Sequence, residues 1–574
     1  MFRLFRILKS YRKTIAAMMV LLLFQSLSQL LLPVLMANLV DTGVVNSDIS
    51  YIVRVGAVML FVAAMGVVFS IWGSYYAAKI ASGFGRDVRQ RVFSRAAHFS
   101  LQEFDSLGTS SLITRTTNDV MHVQQVLTMI FRTLIMAPML FIGAFIIALW
   151  INPGLSMVIF APLPIIAAAI LLIAQRGMPL FESLRKKTDR MNLVLREGLT
   201  GIRVIRSFNR SEHEKNRFEK ANHDYSETAI KVNRLMVILT PLMMVVLNFS
   251  IIALVWLGAF RIETGSLQVG DLMAFIQYAM QIMFSFILAS VMFVAIPRAS
   301  VSARRINEII DSVPAVEKAE QSVETGGIKG EIEFRNVTFS YQESEIPVLS
   351  NISFKAKPGE LTAIIGGTGS GKSTLVGLLP RFHDVREGRI LVHGTDIRDI
   401  SHTKLRQNIG YIPQQPHLFK GTIADNIRYG SSTATDEEVK HAADTAQAGF
   451  ISGLEGGFEA AVAKHGANFS GGQQQRIAIA RACVRKPAIY IFDDSFSAID
   501  LKTASSLRSA LQSETAGSTV FMVTQRAEIA EEADQIIVLD KGQIAGIGKH
   551  RKLMRTCNIY QEIVSAQYAE EDIS

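Results

Sequence analysis

Two stretches of the 574-residue chain carry residue types and spacings suited to phosphate chemistry. The first is GGTGSGKST, which places Gly366, Gly367, Thr368, Gly369, Ser370, Gly371, Lys372, Ser373 and Thr374 in succession. It follows the apolar run LTAII, Leu361 to Ile365, and leads into the helical LVGLL, so it reads as strand, glycine-rich turn and helix. Glycines let the backbone approach a phosphate and turn its N–H groups inward, and the helix N-terminus adds a positive dipole end. In that arrangement Lys372 reaches the β- and γ-phosphates of a nucleotide and the Ser373 hydroxyl can hold Mg²⁺. The second stretch, AIYIF from Ala488 to Phe492, reads as a buried strand ending in Asp493 and Asp494. Asp493 is placed to hold Mg²⁺, directly or through water. Asp494 is placed to orient or activate an attacking water.

Between them lies NFSGGQQQR, Asn468 to Arg476, before the helical IAIARA. Ser470, Gly471, Gly472 and Gln473 there read as a helix cap whose exposed N–H groups can bind an anion.

The elements that must carry these residues belong to the second half of the chain, which has the mixed pattern of an α/β domain. The first half is different. Hydrophobic residues make up 49% of the chain and charged residues only 19%, and the apolar excess is concentrated before residue 313. A helix needs about 20 mostly apolar residues to cross a bilayer. Six stretches qualify, roughly Thr14 to Met36, Val55 to Tyr76, Thr133 to Trp150, Leu155 to Ala174, Leu235 to Phe260 and Leu272 to Ile296. Basic residues cluster before the first span (Arg3, Arg6, Lys9, Arg12, Lys13), after the second (Lys79, Arg86, Arg89, Arg91, Arg95) and after the fourth (Arg176, Arg185, Lys186, Lys187, Arg190). Positive loops stay inside. The N-terminus and the soluble half are therefore expected in the cytoplasm, on a multi-pass cell-membrane protein embedded in the lipid bilayer. The inner segments, about Lys79 to Arg132 and Gln175 to Arg234, are long and helix-patterned. They predict helices that run on out of the membrane as arms.

The expected domain division is 1–312 for the membrane domain, 313–329 for a polar linker and 330–574 for the nucleotide-binding domain. The net charge of +9 is absorbed by the inner loops. No basic cluster is interleaved with aromatics, so nucleic acid is not an expected partner. Cys483 and Cys557 are far apart and outside any CxxC pattern, which implies neither a disulfide framework nor a zinc site.

SGGQ between a phosphate loop and an acidic strand resembles the signature of the ABC ATPases, and the remaining motifs occur in the order that family shows. Tyr341 matches the aromatic that stacks on adenine. Gln414, in YIPQQPHLF, matches the glutamine that touches Mg²⁺ and faces the membrane domain. SAID, Ser497 to Asp500, matches the loop that crosses to the opposite subunit. Phe104 to Val120 and Glu197 to Arg210 look like the two regions of the family's exporters that dock on ATP-binding domains. The resemblance covers nearly the whole chain. It implies an all-α six-span membrane domain of the type IV ABC exporter fold with long cytoplasmic arms, fused to an α/β P-loop ABC domain. It also implies ATP and Mg²⁺ as cofactors, a second half-transporter as partner, and ATP bound between one chain's phosphate loop and the other's SGGQ.

Two positions depart from the family pattern. Its catalytic base is Glu, where this chain has Asp494; its switch residue near the γ-phosphate is His, where VTQR places Gln525. Asp is one methylene shorter, which withdraws the carboxylate by about 1 Å, and such a misplacement can cost about 100-fold in rate. A neutral amide can hydrogen-bond but carries neither proton nor charge. A lesser departure is VAKHG, Val462 to Gly466, in place of a VGERG-like segment. The combination resembles the weaker subunit of bacterial heterodimeric multidrug exporters. The expectation is a heterodimer that exports small amphipathic drugs or lipid-like molecules; the alternatives are a homodimeric lipid flippase and an ATP-gated channel or sensor subunit. Methionines such as Met136, Met243, Met283 and Met292, and Phe293, either suit adaptable apolar binding or fill packing and lipid-facing positions. Asn248, Gln277 and Gln281 are candidates either to line a cavity or to bond between helices.

Overall fold

The computed structural model describes residues 2–312, 314–316, 330–341, 344 and 346–571, of which 2, 170, 174, 239, 287–294, 298, 501 and 568–571 are described by their backbone alone. Most of the expected linker, and the side chains of Met292 and Phe293, lie outside the described residues. The chain divides into two compact units, Met1–Ala97 with Thr109–Ser312, and His98–Gly108 with Val313–Ser574.

The first unit is all-helical. Among the described residues, six helical stretches are long and apolar enough to cross a membrane: Arg3–Val44, Ile49–Ala96, Thr109–Ile151, Pro153–Thr200, Ser211–Glu263 and Val269–Phe286. The last of these continues without a break as the helix Val269–Asp311. Each expected span falls within or along one of them. Ile49–Ala96 has 48 residues; at about 1.5 Å per residue it reaches about 70 Å, more than twice the roughly 30 Å of bilayer hydrocarbon. Ser211–Glu263 has 53 residues and is longer still. The arms read from the sequence are thus continuous helix.

One span differs from expectation. The fourth breaks into Pro153–Phe160 and Leu163–Thr200. Pro162 has no N–H to continue the ladder; its carbonyl accepts from Ile166 N at 3.0 Å, which starts the second helix.

Alanines let the spans approach closely. Ala37, Ala144, Ala148, Ala274 and Ala279 are buried with Leu30, Phe275 and Tyr278. The Tyr278 hydroxyl donates to the Leu30 carbonyl at 2.8 Å. Gln281 Nε2 donates to the Gln29 carbonyl at 3.3 Å, which is the interhelical role, while Asn248 bonds back to Met244 of its own helix at 2.8 Å. Asp119, which is buried, accepts from Ser302 and Arg305, each at 2.8 Å, and so ties the third helical stretch to the sixth.

The second unit is α/β. A four-stranded antiparallel sheet runs Leu349–Ala356, Ile332–Phe339, Glu387–Val392, Thr395–Asp396 in spatial order. A six-stranded sheet runs Gln543–Gly548, Gln535–Asp540, Leu361–Gly366, Thr519–Val523, Ile489–Asp493, Ile409–Ile412, parallel except at its first strand. Its central strands are buried along their length, as unbroken apolar runs such as LTAII and AIYIF require when both sheet faces are covered. Cys483 and Cys557 are buried free thiols, and burial pushes the Cys483 thiol up to about 12.

Candidate functional site

In a parallel sheet the ligand crevice lies beyond the carboxyl ends of the strands. Here three carboxyl ends stand side by side. Val523 pairs with Ile364 on one side and Asp493 on the other. The phosphate loop, the switch segment and the acidic pair therefore leave adjacent strands at one edge, although about 120 residues of chain separate the phosphate loop from the acidic pair.

The phosphate loop is bent by its glycines. Gly371 has φ of 97°, where a side chain is strained, and a Cβ there would crowd Leu349 Cδ2 at 2.8 Å and the Val348 carbonyl at 3.2 Å. It caps the helix Lys372–Gly377, whose N-terminus points into the loop. Lys372 is buried, and its Nζ donates to the carbonyls of Gly366 at 2.9 Å and Gly367 at 2.8 Å. Burial lowers its pKa, opposed by the negative charges of Asp494 and Asp493. The cation is thus held inside the loop, opposite the two carboxylates.

Ser373 Oγ donates to Asp493 Oδ1 at 2.8 Å, and the Tyr411 hydroxyl donates to Asp493 Oδ2 at 3.1 Å. Burial, then Asp493, push the Tyr411 pKa up, which keeps it a donor. A hydroxyl and a buried carboxylate in contact form an all-oxygen set that suits a small hard cation retaining water ligands. Tyr411 was missed from sequence. It opens the same YIPQQ segment that carries Gln414, but a lone tyrosine gives no sign of which carboxylate it will reach.

Asp494 follows at the strand end with φ of 47°, in the left-handed region where Asp is among the tolerated side chains. Its N–H donates to the Val523 carbonyl at 3.1 Å, and its Oδ2 accepts from Gln414 Nε2 at 3.2 Å. Its pKa is raised, first by burial and then by Asp493; the Gln414 bond, Lys372 and Arg526 pull the other way. Gln414 thus bonds to the carboxylate beside the expected metal position.

Tyr341 lies at the other end of the loop. Its hydroxyl is 3.1 Å from Thr374 Oγ1, and its ring packs edge-on against Phe339 and His383. At 42% exposure it keeps a free face on which a base can stack. His383 is a second contact not read from the sequence.

Gln525 sits just beyond the end of Thr519–Val523 with its side chain exposed. Ser470 caps the helix Gly471–Cys483 by a reciprocal box: Gln473 N donates to Ser470 Oγ, and Ser470 N donates to Gln473 Oε1. A Cβ at Gly472 would meet the Ala498 carbonyl at 2.8 Å, which locks the signature against SAID. The structure therefore brings Tyr341, Gly366 to Thr374, Gln414, Asp493 and Asp494 together at the strand ends, in separate bonded sets: Tyr341 with Thr374, Ser373 with Asp493, and Gln414 with Asp494. The bonds of Ser470 and Gln473 stay within their own cap.

Six membrane-crossing helices joined to a nucleotide-phosphate site define a membrane transport ATPase. Comparison with known proteins agrees. The family profile described as ABC transporter transmembrane region matches residues 15–286, and the one described as ABC transporter matches residues 349–497. An uncharacterised ABC transporter ATP-binding protein of Mycobacterium tuberculosis is 39% identical over 565 residues, 98% of this chain and 97% of its own length. An ATP-dependent lipid A-core flippase of Hahella chejuensis is 32% identical over 505 residues, 88% of this chain and 86% of its own. A solved structure of a bacterial Atm1-family ABC exporter with ATP bound superposes with a TM-score of 0.83 at 25% identity, covering 97% of this chain and 98% of that one. The chain belongs to the ABC transporter family. It is an exporter half-transporter of the type IV fold, a multi-pass membrane protein that binds and hydrolyses ATP to drive transport.

Proposed function

We propose that this chain is the catalytically weaker subunit of a heterodimeric exporter of amphipathic drugs or lipid-like molecules, with its ATP-binding domain in the cytoplasm. The observation that carries this reading is the contrast inside one site. The phosphate-holding groups are complete, while Asp494 and Gln525 replace the longer carboxylate and the imidazole that the family uses. Lys372 and the loop N–H groups hold the ATP phosphates, Tyr341 stacks on adenine, and Ser373, Asp493 and Gln414 hold Mg²⁺, which neutralises phosphate charge when bound. Asp494 then orients the attacking water from a withdrawn position, and turnover is slow. Ser470 to Gln473 complete the partner's site, where most hydrolysis occurs. The basic residues flanking the first, second and fourth spans support the cytoplasmic placement.

A lipid substrate is favoured by one finding: the Hahella chejuensis relative is described as a lipid A-core flippase. Such a substrate is compatible with either a heterodimer or a homodimer. The test is ATPase activity in nanodiscs, for this chain alone and co-purified with its native partner. Near-inactivity alone with activity restored by the partner is the expected result. Brisk hydrolysis by this chain alone would sink the weak-subunit assignment.

A further inference from the structure

The switch segment after Thr519–Val523 is secured by an unexpected side chain. The helix Ala527–Glu531 starts at Arg526, whose side chain makes no capping bond. The first N–H groups of a helix have no partner within it. Here the Ala527 N–H donates to Gln567 Oε1 at 2.6 Å. The other end of the same amide, Gln567 Nε2, donates to the Gln525 carbonyl. One side chain, 40 residues downstream of Ala527, therefore bonds to the peptide groups on both sides of Arg526.

The placement of Gln567 follows from the helix that bears it, Asn558–Glu571. Tyr560 and Val564 are buried against Ala363, Ile365, Ala527 and Ala530 beneath the sheet. Positions four and three apart share a helix face, so Tyr560, Val564 and Gln567 form one stripe. Its third member is polar and meets the switch segment where the packed core ends. On its upstream side the segment is fixed by Thr524, whose N–H donates to the Ile364 carbonyl at 3.1 Å and whose Oγ1 accepts from Arg526 N at 3.0 Å. Residue 525 is thus clamped from the sheet on one side and from the C-terminal helix on the other.

We propose that Gln567 is a positioning residue, a latch by which the C-terminal helix sets where the Gln525 amide stands relative to the γ-phosphate of ATP. This rests on the reading of Gln525 as the group facing that phosphate. ADP lacks the γ-phosphate, so a displaced switch segment weakens ATP and leaves ADP alone.

The test uses the full chain in nanodiscs, with ATP and ADP affinities measured in EDTA so that slow hydrolysis does not intrude. Gln567→Ala is expected to lower the ATP-over-ADP preference by about 3- to 10-fold, the loss of one or two hydrogen bonds. ADP affinity should stay unchanged, which a merely structural role would not allow. Hydrogen exchange at the Ala527 amide should rise about 10-fold. Gln525→Ala run in parallel separates the two ideas. If it lowers the preference and Gln567→Ala does not, the latch is wrong and the Gln525 reading stands. If Gln525→Ala leaves the preference unchanged, the Gln525 reading falls and the proposal with it. Unchanged exchange at Ala527 in Gln567→Ala overturns the latch by itself.

Discussion

The two halves of the ATP site are built to different standards. On the phosphate-loop side, Lys372 and Asp493 are buried, and Ser373 and Tyr411 fill both oxygens of Asp493. On the hydrolytic side, Asp494 is half-buried with a single side-chain bond from Gln414, and the Gln525 side chain is exposed. Buried polar groups must be matched to their partners, so the first half tolerates little change. Less buried groups carry a weaker demand, and the two positions on which the proposed weak site rests, 494 and 525, lie there. Binding and hydrolysis are separable because they rest on neighbouring strand ends, not on one shared network.

The most direct way to break this comparison is to restore the second half. Asp494→Glu with Gln525→His, measured as steady-state ATPase of this chain alone, should raise turnover by about 100-fold, the cost assigned to a misplacement of about 1 Å. No gain would overturn the proposal that these two side chains make the site slow. Removing the charge from the first half should produce the next largest effect. Lys372→Ala is expected to weaken ATP binding by about 10- to 100-fold, as for a charge-assisted bond of about 1.5–3 kcal/mol. Equal loss in ADP and ATP would shift the role of Lys372 away from the γ-phosphate.

A pH profile sharpens the contrast with a smaller effect. The Asp494 pKa is raised by burial and Asp493. A raised carboxyl takes up its proton at a pH where an ordinary Asp is still ionised, so the acid limb of hydrolysis should lie above the usual carboxylate range. The Gln414 bond lowers this pKa. Gln414→Ala should therefore move the limb to still higher pH, read as kcat against pH; movement to lower pH would contradict the assignment. In stability the same sign holds: the protonated carboxyl favours the fold at low pH, and that contribution fades as pH rises through the folded-state pKa.

Much of the molecule was legible because its signals are local. Six apolar runs announced six membrane-crossing helices, since a bilayer accepts backbone only when its bonds close within the segment. GGTGSGKST between LTAII and LVGLL announced a phosphate loop, because glycine freedom and a helix start are properties of adjacent residues. Even the arms were readable from continuous helix patterning. The break at Pro162 was overlooked although Pro162 itself was visible, because a proline inside an apolar run can bend a helix or end it, and packing decides which.

What the sequence determined by itself was the set of parts: helix, strand, loop, the chemistry each could do, and the two substitutions at 494 and 525. What only the tertiary structure decided was which parts meet. Strand order placed Gly366, Val523 and Asp493 at one edge; register put Tyr411 on Asp493; a helix stripe carried Gln567 to the switch. The physical reason is that propensity and patterning act over a turn or a strand. Contacts across 40 or 100 residues depend on how buried faces find one another, and a single chain records that outcome without displaying it.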